Sequence, residues 1–192
     1  MIELVVGLAN PIPEYEKTRH NAGAWFVQAL AEQCRSTLTL EKRFHGLCAQ
    51  AKIGDHLVRL LIPNTYMNLS GRAVKAVSHF YRIPTESILI VHDELDLPPG
   101  IVRLKQGGGT GGHNGLKDTQ ACLGTANFTR LRIGIGHPGQ ASDVVNYVLH
   151  PPSRDDREKI DAAIAQAIAV LPTLIQGDMS RAMQDLHSCR LG

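Results

Sequence analysis

Three stretches of the chain gather side chains that can move a proton or hold a polar substrate. Residues 7–21 carry Asn10, Tyr15 and His20; residues 66–71 carry Tyr66, Met67 and Asn68, and residues 92–100 carry Asp93; residues 107–117 carry His113 and Asn114. A histidine, an aspartate and several asparagines suit the activation of a water molecule. Neutral imidazole has a reference pKa of about 6.5, so it can take a proton near neutral pH, and a neighbouring carboxylate can fix its tautomer and stabilise the imidazolium that forms. Carboxamides donate and accept hydrogen bonds without competing for protons, which suits holding a peptide-like substrate. Other readings of the same residues stay open at this point. His20 also fits a capping or surface position, Asp93 with Glu94 and Asp96 fits a solvated acidic turn, and Asn68 and Asn114 fit turn and cap residues.

Competing chemistries lack their signatures. Val5-Val6-Gly7-Leu8-Ala9 does not complete a G-x-G-x-x-G dinucleotide fingerprint, and the glycine cluster 107–115 has no G-K-[ST] for a phosphate-cradling loop. There is no G-x-S-x-G nucleophile elbow. The cysteines at 34, 48, 122 and 189 form no CxxC pair and have no histidine at metal-ligand spacing beside them, and no H-E-x-x-H occurs. The four cysteines read as reduced, mostly buried thiols.

The elements that must position these residues are legible from periodicity. Residues 2–8 are a short apolar run ended by Asn10-Pro11, as for a buried strand whose loop begins at its C-terminal end. Residues 22–34 place Phe26, Val27, Leu30, Ala31 and Cys34 at helical spacing. Two strand-like runs, 47–53 and 57–62, flank Gly54-Asp55 as a hairpin. Ser70 is the expected cap of a helix with an apolar stripe of Ala73, Val74, Val77, Phe80 and Tyr81. Residues 88–91 form a buried strand delivering His92 and Asp93 at its end, and residues 101–106 and 128–135 alternate as strands. Asn114 is the expected cap of a helix reaching Leu123, and Ser142 that of a short helix with Val144, Val145 and Val148. Ser153 with Asp156 opens a longer helix ended by Gly177, and residues 179–187 make a last one. Interleaved strands and helices predict an α/β/α sandwich around a twisted mixed sheet, in one domain spanning 1–192.

Composition bounds the partners. Of 192 residues, 43% are hydrophobic and 20% charged, enough apolar surface for a core and too much for intrinsic disorder. The net charge of +2 excludes a globally basic nucleic-acid binder. Residues 101–140, however, hold five basic side chains against one acidic, an excess centred on the glycine cluster. No signal-peptide pattern and no apolar run of membrane-spanning length is present, so the expected location is the cytoplasm, away from membranes.

Five ordered motifs carry a resemblance. Val6-Gly7-Leu8-Ala9-Asn10-Pro11 with Tyr15 and Thr18-Arg19-His20-Asn21-Ala22-Gly23 is the first, Tyr66-Met67-Asn68-Leu69-Ser70-Gly71 the second, and His92-Asp93-Glu94-Leu95-Asp96-Leu97-Pro98-Pro99-Gly100 the third. The glycines 107–109 with Gly111-Gly112-His113-Asn114-Gly115-Leu116-Lys117, and Arg132-Ile133-Gly134-Ile135-Gly136-His137-Pro138, complete them. Over essentially its whole length the chain resembles the bacterial peptidyl-tRNA hydrolases. The resemblance implies hydrolysis of the ester between a peptide and the 3′-terminal ribose of a tRNA, which recycles stalled tRNA, without metal or cofactor. It also implies a monomer whose partner is the tRNA 3′ end and acceptor stem. By that similarity His20 is the general base, Asp93 holds and stabilises it, and Asn10 helps distinguish a peptidyl from a free aminoacyl ester. Asn68 and Asn114 hold the peptide and the 3′ end, Tyr15 and Tyr66 line the tRNA side with Met67 nearby, and His113 supports the site from beside Asn114. Lys105 and Arg132 map to the family's phosphate-binding positions, inside the basic stretch.

The chain departs from the family pattern in three places. Ile12-Pro13 stands where Gly usually follows Asn-Pro, Thr110 stands where Ser or His is common, and Ala141 and Asp143 occupy a loop that is often more basic, so a shallower salt dependence is expected. A noncatalytic RNA-binding module and a general esterase are the alternatives. The His20/Asp93 pair discriminates the first from an enzyme, and dependence on tRNA discriminates the second.

Overall fold

The first apolar run forms β1 (Leu4–Gly7), a strand with every residue buried. Complete burial is what a parallel strand covered on both faces requires. The computed structural model describes residues 1–188, so the fourth cysteine, Cys189, lies outside the described residues. Six more strands join β1: β2 (Thr39–Glu41), β3 (Gly46–Ile53), β4 (His56–Pro63), β5 (Ile88–Glu94), β6 (Val102–Gln106) and β7 (Thr129–Gly134). Their order is β2-β3-β4-β1-β5-β7-β6. The central β4, β1, β5 and β7 are mutually parallel, while β2, β3 and β6 add antiparallel edges. The sheet is therefore mixed as expected, and the hairpin at Gly54-Asp55 closes with Ile53 opposite His56. Strand β2 has no counterpart in the sequence reading, because its three exposed or half-buried residues carry no apolar alternation.

Among the described residues there are six α-helices: α1 (Ala22–Gln33), α2 (Ser70–Phe80), α3 (Asn114–Leu123), α4 (Val144–Val148), α5 (Arg154–Ile175) and α6 (Met179–Ser188). Successive strand residues point to opposite faces, and two apolar clusters follow from that period. Val5, Leu89, Val91 and Ile133 pack with Phe26 and Leu30 of α1 and Ile164 and Ile168 of α5. Leu4, Val6, Ile88 and Ile90 pack with Val74 and Val77 of α2 and Leu116 of α3. The result is the α/β/α sandwich.

One contact fixes where the site forms. A Cβ on Gly23 would lie 2.3 Å from the Val91 carbonyl oxygen and 2.7 Å from the Leu8 nitrogen. Only glycine lets the first turn of α1 rest on the backbone of β1 and β5. That seating carries the preceding turn, Arg19–Asn21, to the end of β5.

Several local expectations are corrected. Ser70 is the first residue of α2 and not its cap; its hydroxyl donates to the Met67 carbonyl at 2.6 Å. Phe80 is 56% exposed, since the helix ends there and turns its last apolar side chain away from the core. Ser142 lies within a 3-10 turn, Ala141–Asp143, and does not cap α4, whose Val145 is exposed. Cys34, Cys48 and Cys122 are free thiols but only half-buried, Cys34 and Cys48 at the margins of the two clusters. Burial and the nearby Glu41 push the Cys48 thiol up to about 11. Ser153 does cap α5, accepting from the Asp156 amide at 3.1 Å.

Candidate active site

The carboxyl ends of β1, β4 and β5 open into a cleft of about 810 Å³, where open α/β sheets place their ligands. Nine of the eleven site residues expected from the sequence line it: Asn10, Tyr15, His20, Tyr66, Met67, Asn68, Asp93, His113 and Asn114. Four separate chain segments bring them together, and hydrogen bonds tie these segments to one another.

At the centre stands Asp93, on β5 and 4% exposed. His20 Nδ1 lies 3.1 and 3.0 Å from its two carboxylate oxygens. His113 Nε2 lies 2.7 Å from Oδ1. The tautomers follow from the partners. Residue His113, not Asn114, is the cap of α3: its Nδ1 accepts from the amides of Gly115 at 3.1 Å and Leu116 at 3.3 Å. An accepting Nδ1 carries no hydrogen, so the hydrogen is on Nε2 and is donated to Asp93. His20 donates its own Nδ1 hydrogen to the same carboxylate, which leaves its Nε2 as the basic nitrogen available at the cleft wall.

The same three side chains have the spacing of a metal cluster, their ligand atoms lying within 4.8 Å of one another. The donor set fits poorly. With Nδ1 committed to the helix amides, His113 faces Asp93 through a protonated nitrogen, and a cation there would have to displace that hydrogen. Asp93 is already satisfied as an acceptor of two N–H groups.

The charges follow from this geometry. Burial works to raise the Asp93 carboxyl, but His20 and His113, both facing it and both hydrogen-bonded to it, hold it well below the usual carboxylate range. Burial works to lower His20, and the charge and hydrogen bond of Asp93 outweigh it, so the imidazole is raised above 6.5. His92, which the sequence reading did not name as a site residue, also lines the cleft, 3% exposed and with its ring 5.3 Å from that of His113. Burial, with His113 opposite, pushes it down to about 4, so it is neutral at physiological pH.

The loop after β1 is rigidly tied. Asn21 accepts from the Asn10 amide at 2.9 Å and donates to the Asn10 carbonyl at 3.0 Å. The Asn10 Oδ1 accepts from the Met67 amide at 2.9 Å, so what Asn10 offers a ligand is its Nδ2 hydrogens. The unusual Ile12-Pro13 pair is accommodated without strain. Ile12 is extended, as a residue before proline prefers, and Pro13 opens a 3-10 turn where its missing N–H costs nothing. Ile12 itself becomes part of the cleft wall, opposite an apolar side formed by Ala141, Val144, Val145, Val148 and Leu149. Arg19 anchors that side. Its guanidinium donates to the Tyr147 carbonyl at 2.8 Å and lies 3.8 Å over the Tyr147 ring.

Lys105 and Arg132 lie outside the cleft wall. Arg132 is on β7, its Nε 2.8 Å from Glu94 Oε1, and Glu94 lines the cleft. Lys105 is exposed on β6 with its chain against Gly108. The sequence reading missed Arg130, a charge that is only 2% exposed. Its guanidinium donates to the carbonyls of Gly108, at 2.8 Å, and Gly109, so it fastens the glycine loop that leads to Thr110, Gly111 and Gly112 in the cleft wall.

A carboxylate-held histidine facing a cleft at the ends of parallel strands, with carboxamide donors around it, is an arrangement suited to hydrolysis by an activated water. The chain belongs to the peptidyl-tRNA hydrolase family, whose model matches residues 4–191. It is 56% identical to the peptidyl-tRNA hydrolase of Pseudomonas putida over 188 residues, 97% of each chain. It is also 56% identical to that of Nitrosospira multiformis over 187 residues, 97% of this chain and 98% of the relative. A crystal structure of the Acinetobacter baumannii peptidyl-tRNA hydrolase superposes with a TM-score of 0.95 at 48% identity, covering 98% of this chain and 96% of that one. A structure of a peptidyl-tRNA hydrolase complexed with N-propanol gives 0.96 at 48% identity, covering 100% and 97%.

Proposed function

We propose that this chain hydrolyses the ester between a peptide and the 3′-terminal ribose of tRNA, with His20 as general base and Asp93 as the group that orients it. The observation carrying this reading is the Nδ1 contact of His20 with Asp93 at 3.0 Å, which aims the unprotonated Nε2 at the cleft. His20 Nε2 takes a proton from water as the water oxygen bonds to the ester carbonyl carbon. The resulting oxyanion accepts a hydrogen bond from Asn10 Nδ2. Collapse of the intermediate breaks the bond to the ribose 3′ oxygen, and that oxygen takes the proton back from the His20 imidazolium. A base of this kind supplies roughly 10²–10⁴ in rate, and the oxyanion donor adds to it.

Asn10 also contributes to choosing peptidyl over free aminoacyl esters. Asn68 and Asn114, both exposed at the cleft, hold the peptide and the 3′ end; Tyr15 and Tyr66, with Met67, line the tRNA side. Lys105 and Arg132 hold phosphates of the acceptor stem beyond the cleft. We further read residues 1–192 as one domain, acting as a monomer in the cytoplasm. One sheet drawing strands from residues 4–134, with α6 returning to β6 through the Leu104 amide and His187 at 3.0 Å, supports the single domain. No helix among the described residues is long and apolar enough to cross a membrane.

The deciding experiment compares N-blocked peptidyl-tRNA with unblocked aminoacyl-tRNA. Cleavage of the first alone, lost in His20→Ala while tRNA binding survives, is expected. Equal rates on both substrates would refute the specificity, and normal turnover in His20→Ala would sink the mechanism.

A further inference from the structure

Away from the cleft, two neighbouring depressions of about 640 and 410 Å³ share Lys75, His79 and Cys122. The first adds Arg43 and Arg72, the second Arg82, and no aspartate or glutamate lines either one. We propose that this exposed edge of α2, with Arg43, Arg72, Lys75, His79 and Arg82 around Phe80, holds the phosphate backbone of the substrate's tRNA outside the catalytic cleft. The inference rests on the hydrolase reading above and extends it to a second surface.

Helical spacing puts Arg72, Lys75 and His79 on one stripe of α2, at i, i+3 and i+7. The eleven-residue helix is about 16 Å long, so the stripe can follow two or three consecutive phosphates. Its N-terminal end is continuous with the catalytic site, because α2 follows directly on the turn Met67–Leu69, and Met67 and Asn68 line the cleft. The stripe thus begins at Arg72, four residues along the chain from Asn68 in the cleft wall. Phe80 supplies an aromatic component. It is 56% exposed, packs edge-on against Phe44 at 5.3 Å, and carries the Arg43 guanidinium 4.7 Å over its ring. A cation held flat on an aromatic ring keeps its donors directed outward, as phosphate recognition requires.

Two acids stand near without balancing the four Arg and Lys side chains: Asp118, which accepts from the Gly71 amide at 2.8 Å and lies 3.7 Å from Cys122 Sγ, and Glu41, 4.0 Å from Arg43 in an exposed, weak pair. An acidic protein partner would also meet cations here. Continuity with the tRNA-binding cleft and the linear cation spacing favour RNA, and the test separates the two.

The test uses the Arg72→Ala/Lys75→Ala double variant, with Arg43→Glu as an independent second. Each is assayed on full-length peptidyl-tRNA and on the same N-blocked ester carried by a short 3′-terminal oligonucleotide, and binding of deacylated tRNA is measured by fluorescence anisotropy across a salt series. On full-length substrate kcat/KM is expected to fall about tenfold for the double variant. The log–log salt slope for tRNA binding should become shallower by roughly one to two units, the loss of about two phosphate contacts. Turnover of the short ester should be unchanged. Unaltered tRNA affinity and salt slope in both variants would overturn the proposal, as would an equal loss on both substrates. Failure of the hydrolase reading looks different, since wild-type protein would then cleave neither ester while tRNA anisotropy still reports on the surface.

Discussion

His20 and Asp93 stand 73 positions apart in the chain and 3.0 Å apart in space, and their pairing predicts a pH signature. Because the His20 imidazole is raised above its ordinary 6.5, the unprotonated base accumulates only above that value, and kcat/KM should rise with pH through an inflection higher than 6.5. Asp93→Asn removes the charge that raises His20 and leaves burial, which lowers it. The inflection should therefore move down while the maximal rate falls about 10²-fold or more. His113→Asn separates two roles of one ring. Asparagine is a good helix cap, so the melting temperature should stay near wild type, whereas alanine at the same place should cost about 1 kcal/mol. Without the second donor on Asp93 the carboxylate acts more strongly on His20, and the inflection should climb. His92 bears on stability. Its folded value of about 4 lies below the 6.5 of the unfolded chain, so the unfolded state binds the extra proton and stability declines as pH falls from 6.5 towards 4. His92→Asn should flatten that part of a denaturation-versus-pH series. The types of these residues were legible through the family resemblance. The second histidine's grip on both α3 and Asp93 was not, since Asn114 is the better cap by propensity and nothing local says that His113 takes the place before it.

At the scale of elements, the cleft depends on two seatings. The first turn of α1 lies on bare backbone at Gly23, so Gly23→Ala must push the Arg19–Asn21 turn off β5. Overpacking of this kind costs about 1–3 kcal/mol, and here it should also reduce turnover by moving His20. The glycine loop depends on Arg130. Arg130→Met leaves the carbonyls of the exposed Gly108 and Gly109 to water and removes the group that fastens the loop. Amide exchange over residues 107–113 should accelerate and KM should rise about tenfold, with the pH inflection of kcat unchanged, because His20 keeps Asp93. Period and punctuation located the central strands and the six helices well, since the near-complete burial of β1 and β5 is written directly in their continuous apolar runs. Arg130 escaped for the converse reason. On an alternating strand an arginine reads as solvent-facing, and only the returning loop, twenty-one positions earlier, makes its position buried.

For the whole molecule, the near-balance of 20 basic and 18 acidic side chains conceals separate charge territories. Arg103, Lys105, Arg130 and Arg132 alternate with the core residues of β6 and β7, so they project to the face that α2 and α3 cover. The acids of α5, by contrast, are largely spent in i,i+4 pairs such as Arg157–Asp161 at 3.0 Å and Lys159–Asp155 at 3.1 Å. The mass in solution should be that of one 20.9 kDa chain by light scattering, independent of salt. Counting charges along the sequence found the basic stretch at 101–140, but it could not find the cations of α2, which are separated from it in sequence and gather only when α2 and the turn at Arg43 are folded side by side.

The hydrogen bonds about Asp93 all run one way. Backbone amides of α3 donate to His113, His113 donates to Asp93, and His20 donates to Asp93 from the opposite side. In the mechanism we propose, a proton captured at His20 Nε2 therefore finds no acceptor on the Asp93 side and leaves towards the cleft, to the departing ribose oxygen. Turnover in mixtures of light and heavy water should then vary linearly with deuterium fraction, the mark of a single proton in flight, and a bowed plot would reveal that His113 moves one as well.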